Sequence, residues 1–359
     1  MRKAYKYRLY PTKEQEEKIQ FTLERCRLLY NRMLDERRFA YETDKTTLNY
    51  YGQANTLNER KKYIPALKQV HSQVLQDVVK RLDKAFQAFF RRVKAGETPG
   101  YPRFKSAGRY DSFTYPQSGY SIRGNQLTLS KIGEVKMKLH RQPQGEIKTC
   151  TVMVKNGKYY ASLSCEVEPN TLPESKGTVG VDLGVKHLAI TSDGEFYEHP
   201  KFLRESERKL HRKQRSVSRK KKGSVRRRKT IRELARLHEH IANQRRDYAH
   251  KVSRKLVNGY GLIAFENLNV QGMVKNHHLA KSIVDASWNQ LVQYTTYKAE
   301  EAGRRVVLVD PKNTSQLCSN CGEIVPKRLS ERIHRCDHCG YVQDRDVNAA
   351  QNILKRALA

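Results

Sequence analysis

Residues 178–196 read TVGVDLGVKHLAITSDGEF. Two apolar, β-branched runs are parted by a short turn, and Asp193-Gly194 marks a second, so the pattern predicts consecutive strands of one sheet. One residue breaks the first run: Asp182, an acid at its end. Downstream, residues 201–230 carry 15 Lys or Arg against two Glu and lead into a long helix marked by Ile231, Leu234, Leu237, Ile241, Tyr248, Val252 and Leu256. GLIAFENL (261–268) is an apolar run of buried-strand length that also ends on an acid, Glu266. A helix from about Ser282 to Ala302 and a strand in RRVVLVDP (304–311) follow. Hairpin strands first, then alternating helix and strand, predict an α/β layer with a mixed sheet.

Beyond that sheet, Cys318 and Cys321 form C-x2-C, 14 residues intervene, and Cys336 and Cys339 form a second C-x2-C; each second cysteine precedes glycine. A two-residue gap lets both thiolates of a knuckle reach one tetrahedral Zn²⁺ at about 2.3 Å. A pair of redox dithiols is the alternative, but no thioredoxin-like βαβ pattern surrounds either pair. His334 and His338 are read as bystanders. Lys327, Arg328, Arg332 and Arg335 lie between the knuckles as candidate DNA contacts. In DRDVNAAQNI, Asp346 opens a segment in which Val347, Ala350, Ile353, Leu354 and Ala357 repeat at helical spacing, so it stands at a helix start.

Buried acids cost free energy unless paired or metal-bound, and two of them at strand ends call for a shared cation. Asp182, Glu266 and Asp346 together have the ligand chemistry for two Mg²⁺ ions about 4 Å apart, the arrangement that activates water and stabilises the leaving oxygen in phosphodiester hydrolysis. Taken singly, each has a plainer reading: a turn residue, a strand end, a helix cap. Asp344 is a rival for the third position.

The first half reads differently. MRKAYKYRLY alternates basic with apolar or aromatic residues as a half-buried strand does, and stops at Pro11. Thr12 and Gln15 have capping-box spacing, after which Ile19, Leu23, Cys26, Tyr30 and Met33 recur at helical intervals. A second amphipathic helix runs from Ser72 with Val74, Val78, Leu82, Ala85, Phe89 and Val93 on one side. GETPGYPRFKSAGRY (96–110), holding Arg103 and Lys105, breaks the helical pattern, and short strands follow to about 168, with hairpin turns at Gly124-Asn125 and Asn156-Gly157. The expectation is a small antiparallel β-barrel that includes the first strand, with the helices inserted. Ser72, Gln73 and Gln76 lie near Tyr50, Tyr51 and Lys68; Gln suits adenine edges and Lys68 suits phosphate.

The chain has 359 residues and a formal charge of +33, from 70 Lys or Arg against 37 Asp or Glu, which points to a polyanionic partner. A generally basic protein such as a ribosomal component is the plainer reading. No apolar run approaches the ~20 residues of a spanning helix and no leader opens the chain, so the expected place is the cytoplasm, at the nucleoid, with no membrane partner. Three of the seven cysteines, Cys26, Cys150 and Cys165, fall in apolar patterns and are expected to be buried.

GVDLGVKHLAI, IAFENLNV, TSQLCSNCG, CDHCG and DRDVNAAQNI, with LKQVHSQVLQ and GYPRFKS in the first third, resemble the TnpB (OrfB) proteins of bacterial insertion sequences, relatives of the type V CRISPR effectors. The resemblance implies an α+β multidomain protein: an RNase H-like RuvC nuclease domain (176–316 with 341–359), a zinc module inserted in it (317–340), an OB-like wedge barrel (1–10 with 96–170) and a helical recognition lobe (11–95). It places the three catalytic acids on Asp182, Glu266 and Asp346, the last by the aspartate two residues before Asn-Ala-Ala, and carries over all four zinc cysteines. The implied activity is cleavage of double-stranded DNA beside a short motif, directed by a guide RNA from the transposon end, in a monomeric ribonucleoprotein. No compact His/Asn cluster lies between Asp182 and Glu266, so one site must cut both strands. The run 201–229, including Arg226, Arg227 and Arg228, is expected to line the nucleic-acid channel. A regulator that keeps the fold without the chemistry, or a strand-transfer transposase, is the alternative.

Overall fold

The computed structural model describes residues 1–328 and 331–359. They divide into two compact units, Met1–Glu168 and Pro169–Ala359. No helix among the described residues is long and apolar enough to cross a membrane.

In the first unit, strand β1 (Arg2–Tyr10) is followed by helices α1 (Lys13–Asp44), α2 (Tyr50–Asn55), α3 (Leu57–Tyr63) and α4 (Ser72–Lys94). Then come β2 (Ser112–Tyr115), β3 (Tyr120–Arg123), β4 (Gln126–Leu129), β5 (Gly133–Lys138), β6 (Glu146–Lys155) and β7 (Lys158–Glu166). The sheet order is β2-β6-β7-β1-β5-β4-β3, all antiparallel, so β1 is central. Its alternation explains the position: Tyr5, Tyr7 and Leu9 are buried while Arg2, Lys6 and Tyr10 face out. Thr12 and Gln15 form the capping box that starts α1. Asn156 (φ 52°) and Gly157 (φ 72°) turn β6 into β7, both in the left-handed region that this two-residue hairpin needs.

Helices and sheet share one core, in which Leu23, Met33, Leu75 and Leu82 join Phe113, Leu127, Val152 and Leu163. The amphipathic faces of α1 and α4 are thus covered by the sheet, and the expected insertion packs as part of this unit. The expected barrel is not closed by hydrogen bonding: β2 and β3 are the two edges and exchange no ladder bonds among the described residues. The sheet does curl, since the Tyr115 and Tyr120 rings meet at 6.4 Å and the Tyr120 hydroxyl donates to Ile147 O at 3.0 Å.

The second unit contains β8 (Thr178–Asp182), β9 (His187–Thr191), β10 (Phe196–Glu198), α5 (Phe202–Ser218), α6 (Val225–Gly259), β11 (Leu262–Glu266) and α7 (Val270–Met273). It continues with α8 (His277–Ala286), α9 (Trp288–Ala302), β12 (Arg305–Val309), β13 (Ile333–Arg335), β14 (Val342–Asp344) and α10 (Arg345–Leu358). Its mixed sheet has the order β10-β9-β8-β11-β12, with β8, β11 and β12 parallel and β9 and β10 antiparallel. The expected helix over 282–302 is two helices. Ser287 takes left-handed backbone (φ 54°) and breaks it, which lets the buried Trp288 turn in and donate from Nε1 to Gly184 O at 3.1 Å.

Candidate active site and metal centre

Asp182 ends β8 and Glu266 ends β11. The parallel register Leu262↔Thr178 through Phe265↔Val181 brings the two acids to the same edge of the sheet. Burial pushes the Asp182 carboxyl well above its ordinary range, the negative fields of Glu266 and Asp346 add to this, and Arg345 opposes it. Glu266, only 9% exposed, is likewise raised by burial; the Thr314 hydroxyl and the charge of Arg356 pull the other way. Asp182 and Glu266 are held in their protonated range mainly by burial, and hard oxygen donors at a common edge suit a divalent cation.

The third acid arrives on α10, which lies against β8. Gly180 makes that approach possible, because a Cβ there would stand 2.7 Å from the Leu354 backbone nitrogen. Asp344 is the N-cap: its carboxylate accepts from Asp346 N at 2.8 Å and Val347 N at 3.2 Å. Asp346, two residues further, accepts from Arg345 at 2.9 Å and pairs with Arg332 at 3.6 Å. Among the described residues, only the four cysteines bring three or more ligand atoms within 4.8 Å of one another. The three carboxylates stand further apart than that, and Asp346 is drawn to Arg345 and Arg332.

In the cysteine cluster, Cys318 and Cys339 sulfurs lie 3.7 Å apart and those of Cys321 and Cys336 3.6 Å apart. A tetrahedral ion with bonds of about 2.3 Å separates its sulfurs by about 3.8 Å, so the donor set fits zinc. Gly322 (φ 83°) and Gly340 (φ 72°) supply the left-handed turns, and their amides donate to the Cys318 and Cys336 carbonyls. The backbone amide of Tyr341 and the Asn320 side chain hold the Cys339 thiol low, whereas, against the Glu323 amide, the Cys321 thiol beside it is pushed up by burial and the other three sulfurs, so the cluster shares its protons until a cation replaces them. His334 is buried and faces Lys327, not the sulfurs. Lys327 also donates to Ser315 O, and Arg332 turns to Asp346, so two of the four basic residues between the knuckles have partners within the chain.

Four residues central to this arrangement were not read from the sequence as functional: Gly180, Thr314, Asn348 and Asn352. The asparagines carried a signal, since both are buried polar residues interleaved with the apolar face of α10.

The candidate nucleic-acid contacts stand as follows. Ser72, Gln73 and Gln76 share the first turns of α4, and Tyr51 is exposed on α2. Gln73 is engaged: Ser118 N donates to its Oε1 at 2.9 Å and its Nε2 donates to Gln117 at 3.2 Å. Gln76 is exposed, and Ser72 accepts from Lys61 at 2.8 Å. Lys68 lines a cleft with Glu14, Lys18 and Lys131. Arg103 is exposed, while Lys105 is tied by its backbone to Asn31 and sets its ammonium over the Tyr30 ring. Arg226, Arg227 and Arg228 occupy the first turn of α6. The basic run also builds an open cleft on α5, lined by Arg208, His211, Arg212, Arg215, Ser216, Arg219 and Lys220.

Residues 162–277 match a family described as "Probable transposase", 288–353 match the "Cas12f1-like, TNB domain", and 1–46 match a "Helix-turn-helix domain". Over that last range the chain forms a strand and a single 32-residue helix. A protein of Streptomyces pristinaespiralis named "Putative RNA-guided DNA endonuclease" is 37% identical over 100% of this chain and 90% of its own length. One of Escherichia coli K12, "Putative RNA-guided DNA endonuclease InsQ", is 36% identical over 98% and 91%. The solved structure titled "Cryo-EM structure of CasPhi-2 (Cas12j) bound to crRNA" shares the fold at 9% identity, with a TM-score of 0.51 over 100% of this chain and 98% of that one. With relatives 37% and 36% identical over 98–100% of its length and family matches along most of it, the chain belongs to the TnpB (OrfB) family.

Proposed function

We propose that the protein is an RNA-guided DNA endonuclease of a transposable element, cutting double-stranded DNA beside a short motif in one RuvC-like site. The observation that carries the reading is the convergence of Asp182 and Glu266 at one sheet edge with Asp346 on the adjoining helix. Magnesium held there, as two ions, would supply the charge that stabilises the leaving oxygen and the polarisation that activates water. The backbones of Asp182 and Glu266 are fixed because each ends a ladder-paired strand, and both would hold the cations from that side; Asp346 would close the set from α10. Zinc held by Cys318, Cys321, Cys336 and Cys339 would be structural, fixing the angle at which α10 leaves β14.

The partners are a guide RNA from the transposon end and duplex DNA, bound as a monomeric ribonucleoprotein. The α5 cleft and the Arg226–Arg228 turn supply sequence-independent phosphate contacts. The wedge role falls to residues 1–10 with 96–170, whose curled sheet is barrel-like, and the recognition role to 11–95. Of the motif-reading candidates, the exposed Gln76 is better placed than Gln73, whose amide is occupied.

Exchanging only the guide segment tests this. Cleavage should move to a matching target that keeps the same adjacent motif, because base pairing rather than the protein selects the site. Cleavage that stays at the original site, or proceeds equally on RNA-free protein, overturns the reading. DNA ends joined rather than freed would favour the transposase described for the family.

A further inference from the structure

Thr314 lies where the chain leaves β12 for the first cysteine knuckle. It is 4% exposed, and its hydroxyl meets Glu266 Oε1 at 2.5 Å, with Pro311 O at 3.1 Å as a second acceptor. A hydroxyl carries one hydrogen, and an ionised carboxylate is the stronger acceptor, so a charged Glu266 takes it. The Thr314 backbone is pinned in turn: Asn352 Nδ2 donates to Thr314 O at 2.9 Å and to Leu317 O at 2.7 Å. Asn348 Nδ2 also donates to Leu317 O, at 2.7 Å, and its Oδ1 accepts from Ser319 N at 2.8 Å. The residues on both sides of Cys318 are therefore tied to α10 by amides that water scarcely reaches.

We propose that Thr314 is a positioning residue for the cleavage site: it holds one oxygen of Glu266 so that the other is presented to the cations, and the Asn348–Asn352 clamp couples it to the zinc module. The proposal rests on the three-acid reading given above. Glu266 sits on a strand, but its carboxyl still turns about its side-chain bonds, and a single buried hydroxyl removes that freedom. Order in the first knuckle is passed to Glu266 through five hydrogen bonds along one short segment, 314–319.

A spectroscopic readout separates this from cleavage. Trp288 is the only tryptophan, and its indole donates to Gly184 O, two residues beyond Asp182. Terbium bound at the acids of the RNA-loaded protein should emit when Trp288 is excited; emission from terbium on the RNA, which guanine bases sensitise on their own, is measured on Trp288→Phe protein carrying the same RNA and subtracted. Wild type is compared with Asp182→Asn, Thr314→Val and Thr314→Ser. Thr314→Val should need about tenfold more terbium for half-maximal emission, and about tenfold more magnesium for half-maximal cleavage, with one zinc per chain retained. Thr314→Ser should restore both midpoints. If Thr314→Val misfolds, Thr314→Ala, which removes the hydroxyl without adding bulk, must shift them the same way. Unchanged midpoints in a folded, hydroxyl-free variant, with emission lost in Asp182→Asn, overturn the proposal and leave the three-acid reading standing. Undiminished emission in Asp182→Asn overturns that reading and the proposal with it.

Discussion

Gly180 of β8 and Ala350 of α10 meet backbone to backbone: a methyl group on Gly180 would lie 2.0 Å from the Ala350 carbonyl oxygen. Neither side of that contact is a flexible side chain, so nothing can yield except the helix itself. Gly180→Ala should push α10 and Asp346 away from the sheet. A displacement of about 1 Å is enough to cost roughly 10²-fold in rate, with about 1–3 kcal/mol of stability lost to overpacking. Cleavage kinetics and thermal melts on the zinc-replete protein check it; near wild-type cleavage would show that α10 docks more loosely than this contact implies.

Replacing Asp182, Glu266 or Asp346 by Ala should abolish magnesium-dependent cleavage and leave RNA binding near wild type, because the acids hold cations and not the RNA backbone. Asp344→Ala should behave differently. It removes the cap on Asp346 N and Val347 N, costing about 1 kcal/mol, and cleavage should persist at reduced rate. Cleavage surviving in Asp346→Ala and lost in Asp344→Ala would exchange the two roles.

Cys318→Ser or Cys336→Ser should bring zinc content toward zero and weaken cleavage, since a tetrahedral site seldom survives the loss of a thiolate. Elemental analysis of the wild type should find one zinc per chain. A wild type without zinc would remove the basis for a metal-fixed α10.

Stability should depend on pH in the direction set by the acids. The carboxyls of Asp182 and Glu266 are raised from ordinary values of 3.8 and 4.5. The cation-free fold therefore keeps protons that the unfolded chain has released. Their contribution is full below about pH 4 and is lost as pH rises through the raised values. Without added magnesium the melting temperature should carry this downward component, magnesium should cancel it, and Asp182→Asn should flatten it. An identical pH profile for Asp182→Asn and wild type in magnesium-free buffer would contradict the assignment.

Gln76→Ala should alter the preferred motif next to the target, whereas Gln73→Ala should first disturb the 117–118 loop that its amide holds. Cleavage of a randomised-motif library measures both. Uniform loss across all motifs in Gln76→Ala would make this surface a positioning one.

What the sequence discloses here is what is local. The Thr12–Gln15 box, the Asn156-Gly157 turn and the paired cysteine knuckles each specify their geometry within a few residues, and each stands in the structure. Asp182 and Glu266 stand out because a charge inside a β-branched run has no packing reason to be there. Their adjacency depends on parallel register between strands 84 positions apart, which no local pattern encodes. The break at Ser287 is hidden because apolar spacing continues across it and no glycine or proline marks it. The common core of α1, α4 and the curled sheet is a long-range packing choice: an amphipathic helix shows that it needs a cover but not which surface provides it. Gly180 reads as one more strand residue until the helix above it is seen.

The parallel ladder of β8 and β11 also bears on ion size. The backbones of two of the three acids cannot change their separation without breaking strand pairing, so on the three-acid reading, with Thr314 holding the Glu266 carboxyl, the soft backbone coordinate is the slide of α10 over the bare backbone at Gly180. A larger ion such as calcium, which takes longer bonds and more ligands than magnesium, is accommodated by that one displacement or not at all. Discrimination between the two then resides in how firmly a helix is seated, at a contact of Gly180 with Ala350 that lies two residues from Asp182 and four from Asp346.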